Sequence, residues 1–200
     1  LAYESLVSSR APDFSIPPWF VYAIMRQESR YHPAMISSMD AIGALQMIPQ
    51  TAILVGEDMG TPYDAKTFPD PRVGFPFTFR YMQMHDELWK GQWALTAASY
   101  NAGPGTVRSW PQPRNDEDIE LWVERIPYPE TRYYTKKVLD NLLGYSDDAW
   151  PGCDDRAEGM GQTVAKSNSG NENKSQQQQR APGGSHHPKT DQIKPRQQQR

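Results

Sequence analysis

Cysteine is nearly absent from this 200-residue chain. Its single Cys153 has no partner for an internal disulfide, so the fold is not a disulfide scaffold. Histidine is scarce too: of four, His186 and His187 are adjacent, and no spacing among them suits a metal. No run approaches eighteen consecutive apolar residues, which excludes a transmembrane helix from this sequence. The most informative lack is regional. Beyond Trp150 there is no Trp, Tyr or Phe, whereas the first 150 residues hold all 6 Trp, 10 Tyr and 6 Phe.

That asymmetry reconciles a low mean hydropathy of −0.78 with an aromatic content unusual for an unfolded sequence. Residues 151–200 carry Gln176-Gln177-Gln178-Gln179, Gly183-Gly184 and Gln197-Gln198-Gln199 in a Ser, Asn and Lys background. Their few apolar side chains cannot offset the entropy of ordering the segment. The sequence therefore predicts a folded domain over 1–150 and a disordered, low-complexity tail over 151–200. Charge divides at the same place, the domain being net −6 and the tail net +3. A domain of that sign is a poor polyanion binder, since nucleic-acid affinity rests on neutralising phosphates, so no nucleic-acid partner is expected. The sequence opens on Leu1 rather than Met, which points to a chain whose own N-terminus, and any signal peptide with it, lies upstream.

Helical periodicity dominates the domain. Ser15 followed by Ile16-Pro17-Pro18 predicts a helix start, because proline is tolerated only in the first turn, and that helix runs through Glu28. Further helices are predicted over 49–55, ending near Gly56, and over 73–89, 93–100, 106–110, 119–125 and 129–144, with Gly144 as the stop. Loops are predicted over 56–74 and 111–116, with a break at Asn101-Ala102-Gly103-Pro104-Gly105. No alternating pattern is long enough for a substantial sheet. The fold class is mainly α.

Glu28 is the first candidate for chemistry. It follows Ile24 by four positions and Val21 by seven, so it shares a stripe with apolar residues. Burial raises a Glu from about 4.3 toward roughly 6 to 7, a range suited to a general acid at neutral pH. Three further segments follow in order. Gly43-Ala44-Leu45-Gln46-Met47-Ile48-Pro49 joins a small-residue turn to an apolar stretch. Ala98-Ser99-Tyr100-Asn101-Ala102-Gly103-Pro104-Gly105 places a phenol and an amide at a helix end. Ile126-Pro127-Tyr128-Pro129-Glu130-Thr131-Arg132 adds a second carboxylate at the start of the last helix.

Together these segments resemble the catalytic domain of soluble lytic transglycosylases, lysozyme-like enzymes that cleave peptidoglycan, over residues 17–143. Glu28-Ser29, the stretch from Gly43 to Pro49, the Tyr100-Asn101-Ala102-Gly103-Pro104-Gly105 run and the Ile126-to-Arg132 run are similar to the family's four motifs. The second departs from the pattern by having Ala44-Leu45 for Leu-Met and Ile48 for Met. The resemblance implies a lysozyme-like helical fold, peptidoglycan glycan strands as partner, a periplasmic or cell-envelope location, and no metal or organic cofactor. It implies Glu28 as the catalytic residue, acting as acid and then base, and Ser37, Gln46, Tyr100, Asn101 and Glu130 as substrate-binding residues. Tyr100 is expected to hydrogen-bond Glu28 or the substrate's acetamido group. Trp93 and Trp110 are weighed as sugar-stacking rings but expected in the core. A hydrolytic muramidase and a non-catalytic peptidoglycan-binding module are the alternatives.

Overall fold

The computed structural model describes residues 1–113 and 119–146. In chain order the elements are α1 (Glu4–Arg10), a 3-10 turn (Ala11–Phe14), α2 (Pro18–Ser29), α3 (Pro49–Met59), α4 (Pro71–Trp89), α5 (Trp93–Ala102), α6 (Pro104–Arg108), α7 (Ile119–Glu124) and α8 (Pro129–Ser146). Among the described residues there is no named strand, only two isolated antiparallel bridges, Ile36 with Ile42 and Ile42 with Met47. The mainly α reading holds. The 151–200 tail and residues 114–116 of the predicted 111–116 loop lie outside the described residues.

α5 explains how the rest is arranged. Its sequence, Trp-Ala-Leu-Thr-Ala-Ala-Ser-Tyr-Asn-Ala, lacks a charged face, and all ten residues are buried. A helix without a solvated stripe belongs in a protein's middle, and α5 is packed by α4, α6 and α8. Trp93, Ala97 and Tyr100 enter the larger core with Phe20, Ile24, Phe79, Met82 and Val138. Ala94, Leu95, Ala98 and Ala102 enter a second one with Val107, Trp110, Trp122 and Ile126. The small alanines let neighbouring helices approach closely. α2 then packs on α8, burying Phe20 to Met25.

Several boundaries depart from the sequence reading. α1 was not anticipated, for its only fully buried residue is Val7 and one apolar anchor leaves no period to detect. Ser15 is not a helix cap; it closes the 3-10 turn at φ 57°, and α2 begins at Pro18 after Pro17. Gly56 does not end α3. A Cβ there would sit 2.5 Å from the Thr61 carbonyl, so glycine is required by close approach, and the stop is Gly60 at φ 66°. α8 likewise runs through Gly144 to Ser146. α5 extends over Asn101 and Ala102 before Gly103, at φ 82° and ψ 144°, breaks the chain, and Pro104 restarts it as α6. Among the described residues no helix is long and apolar enough to cross a membrane.

Candidate active site

Glu28 sits in the last turn of α2, half-buried, with Val21 and Ile24 wholly buried on its stripe. Its Oε1 accepts a hydrogen bond of 2.9 Å from the Tyr134 hydroxyl. Tyr134 lies on α8 and is 6% exposed, so the carboxylate is held across the α2–α8 interface by a phenol whose own ring is fixed in the core. Donation to a carboxylate is among the stronger hydrogen bonds and gives it a defined direction. The phenol singled out from sequence, Tyr100, has its proton elsewhere: its hydroxyl donates to the Leu45 carbonyl at 2.6 Å.

Immediately after Glu28 the backbone turns in a costly way. Arg30 and Tyr31 both have left-handed φ, 52° and 70°, unusual for two consecutive non-glycine residues. The surroundings over-determine this turn. Ser29, 7% exposed, donates to the Ala44 carbonyl at 2.7 Å; the Tyr31 and Tyr145 hydroxyls hydrogen-bond one another. Burial pushes the Tyr22 phenol up to about 12 and raises Tyr31 as well, so these phenols remain protonated, neutral groups.

The loop between α2 and α3 is tied internally by its own polar side chains. Ser37 Oγ accepts from the Met39 and Ala41 amides at 3.2 and 3.1 Å. Gln46, at φ 50° and 3% exposed, donates through Nε2 to the Met35 and Gly43 carbonyls at 3.0 and 2.8 Å. Its Oε1 is buried with no hydrogen-bond partner. Asn101, at the end of α5, accepts from Thr131 Oγ1 of α8 at 2.7 Å. Glu130 is exposed in the first turn of α8, four residues before Tyr134 and on the same stripe.

The predicted residues thus fall into connected sets. Glu28 and Ser29 reach the 44–45 turn and α8; the turn reaches Tyr100 on α5; Gln46 and Ser37 brace the loop that carries the turn; Asn101 joins α5 to α8 one helical turn before Tyr134. Trp93 and Trp110, 6% and 8% exposed, are core residues as expected. Sequence reasoning missed Tyr134, Thr131 and the hydroxyl of Ser29. The α8 stripe of Thr131, Tyr134, Thr135, Val138 and Leu142, all buried, was a readable signal, and it put Tyr134 on the inward face. Among the described residues no group of three or more His, Cys, Asp or Glu gathers to hold a metal.

Residues 5–123 match the family model described as the transglycosylase SLT domain. The chain is 34% identical over 142 residues to the soluble lytic murein transglycosylase of Escherichia coli K12, covering 70% of this chain and 22% of that one. It superposes with a TM-score of 0.68 on the lytic transglycosylase Slt of Pseudomonas aeruginosa, solved as an inactive glutamate-to-glutamine mutant. That pair is 29% identical, covering 72% of this chain and 24% of the other. Against the 70 kDa soluble lytic transglycosylase of Escherichia coli the TM-score is 0.67 at 32% identity, with the same coverage. The fold is the lysozyme-like fold of lytic transglycosylases. The chain belongs to the transglycosylase SLT domain family, and it spans about a fifth of the length of the soluble murein transglycosylases it matches.

Proposed function

We propose that this domain is a peptidoglycan lytic transglycosylase, cleaving the β-1,4 bond between N-acetylmuramic acid and N-acetylglucosamine in the cell envelope. The observation that carries the reading is the Tyr134-to-Glu28 hydrogen bond, which holds a single half-buried carboxylate in a fixed direction at a motif position of this family. Protonated Glu28 donates to the glycosidic oxygen as the C1–O bond breaks, and the muramyl 2-acetamido oxygen stabilises the oxocarbenium centre. Ionised Glu28 then takes the proton of the muramyl 6-hydroxyl, whose oxygen bonds to C1 and closes a 1,6-anhydro ring. The proton returns to Glu28, no water is consumed, and no cofactor enters. Asn101 offers its amide NH2 to sugar groups, Ser37 and Glu130 flank the loop and the α8 start as substrate contacts, and Gln46, whose side chain is buried, serves the substrate through the loop it braces.

Mass spectrometry of the products from purified sacculi tests this. Anhydro ends are lighter than reducing ends by one water, and Glu28→Gln should abolish their release. Reducing ends would overturn the anhydro mechanism in favour of a hydrolytic muramidase, with Glu130 as the second acid. Binding to sacculi without any soluble product would make the domain a non-catalytic peptidoglycan module.

A further inference from the structure

Two hydroxyls from different helices hold successive carbonyls of one turn. Ser29, the last residue of α2, donates to Ala44 at 2.7 Å in a buried environment, and Tyr100 on α5 donates to Leu45 at 2.6 Å, also buried. Among the described residues the turn's backbone bonds stay within its own loop: Gly43 N to Met35 O, Gln46 N to Gly43 O, and the Ile42–Met47 pair in both directions. Gln46 at its apex is left-handed, a conformation that persists in a non-glycine residue only where neighbours impose it. The α2 end is in the same state, Arg30 and Tyr31 both being left-handed. Two strained segments therefore meet, and the Ser29 hydroxyl bonds one directly to the other.

We propose that Ser29 is a positioning residue, which with Tyr100 locks the 43–47 turn in register with the end of α2 and so sets Glu28 against the sugar that the turn contacts. This rests on the lytic reading of Glu28. A serine one residue past Glu28 lies about 100° round the helix from it, and its hydroxyl is engaged by the Ala44 carbonyl, so it acts through the turn rather than on the reacting atoms. Without its donor the Ala44 carbonyl loses a buried partner, the strained turn opens, and the distance between acid and sugar is no longer defined. A displacement of about 1 Å in such a group costs roughly a hundredfold in rate.

The test pairs amide hydrogen exchange with turnover on isolated glycan strands, for wild type, Ser29→Ala and Ser29→Thr. In Ser29→Ala, the Gly43, Gln46 and Met47 amides should exchange at least tenfold faster while those of Val138 and Leu139 in α8 keep their wild-type rates. kcat should fall about tenfold to a hundredfold, with KM changing by less than threefold. Ser29→Thr, which retains the hydroxyl, should restore both. Unchanged exchange in the turn, or faster exchange spread equally over α8 with kcat per folded molecule intact, would overturn the proposal. If wild type releases no anhydro product, the lytic reading fails by itself, and the exchange measurement still decides whether Ser29 locks the turn.

Discussion

A phenol at hydrogen-bond distance from a carboxylate does two separable things: it adds a little to stability and a direction to the acid. Tyr134→Phe keeps the buried ring and removes only the hydroxyl that reaches Glu28. The loss in stability should be about 0.5 to 1.5 kcal/mol in a urea melt, whereas turnover on glycan strands should drop on the order of tenfold to a hundredfold, because an aimed acid is worth more to rate than to folding. Equal rates for the two proteins would mean that Glu28 is aimed by something other than this phenol. Glu28 itself was singled out in the sequence by apolar neighbours at i−4 and i−7 together with the family resemblance of Glu28-Ser29 and the three segments that follow it. Its partner was not, since 106 residues separate the two and no local pattern encodes which phenol crosses an interface.

Glycines carry opposite meanings in different helices, and the element is the scale at which they can be told apart. In α3, an alanine at Gly56 would place Cβ 2.5 Å from the Thr61 backbone carbonyl, and backbone cannot move aside as a flexible side chain can. Gly56→Ala should therefore destabilise by about 1 to 3 kcal/mol. In α8, Gly144 has nothing within 4 Å of the added atom and lies inside a helix. Gly144→Ala should stabilise by about 0.5 to 1 kcal/mol, from helix propensity and a less flexible unfolded chain. Thermal melts of the two variants should move in opposite directions. Sequence alone reads both glycines as helix stops. Whether a glycine ends a helix or admits a neighbour depends on the chain that packs against it, here the Thr61 carbonyl in one case and open solvent in the other.

For the whole molecule, pH acts through groups buried without charge. His85 on α4 is wholly buried, its ring 4.1 Å from that of Tyr81, and neither ring nitrogen has a hydrogen-bond partner. Burial lowers its pKa to about 3. Between about 6.5 and that value the unfolded chain binds a proton at this position and the native one does not, so His85 contributes a stability that falls as pH drops through this window. On the alkaline side Tyr22, pushed up to about 12 by burial and by nearby Glu4 and Tyr145, keeps its proton in the folded state while the unfolded chain loses it above about 10. Stability therefore falls there as pH rises. Urea midpoints from pH 7 to pH 4 should decline more steeply for wild type than for His85→Leu; parallel slopes would mean that the imidazole titrates equally in both states.

The choice of Glu28 as candidate acid came from motif resemblance; the chain's own order of residues determined the helical class, the division at Trp150 between aromatic-rich and aromatic-free sequence and the burial of α5. Each of these follows from composition or from a period of a few residues, and such information is local. Tertiary structure alone decided that Tyr134 rather than Tyr100 donates to Glu28, that Ser37 and Gln46 spend hydrogen bonds on their own loop, and that Gly56 faces a carbonyl. Those outcomes depend on which surfaces meet when α2, α5 and α8 pack together. A hydroxyl's partner is fixed by angstrom-scale distances between segments far apart in sequence, which no periodicity records.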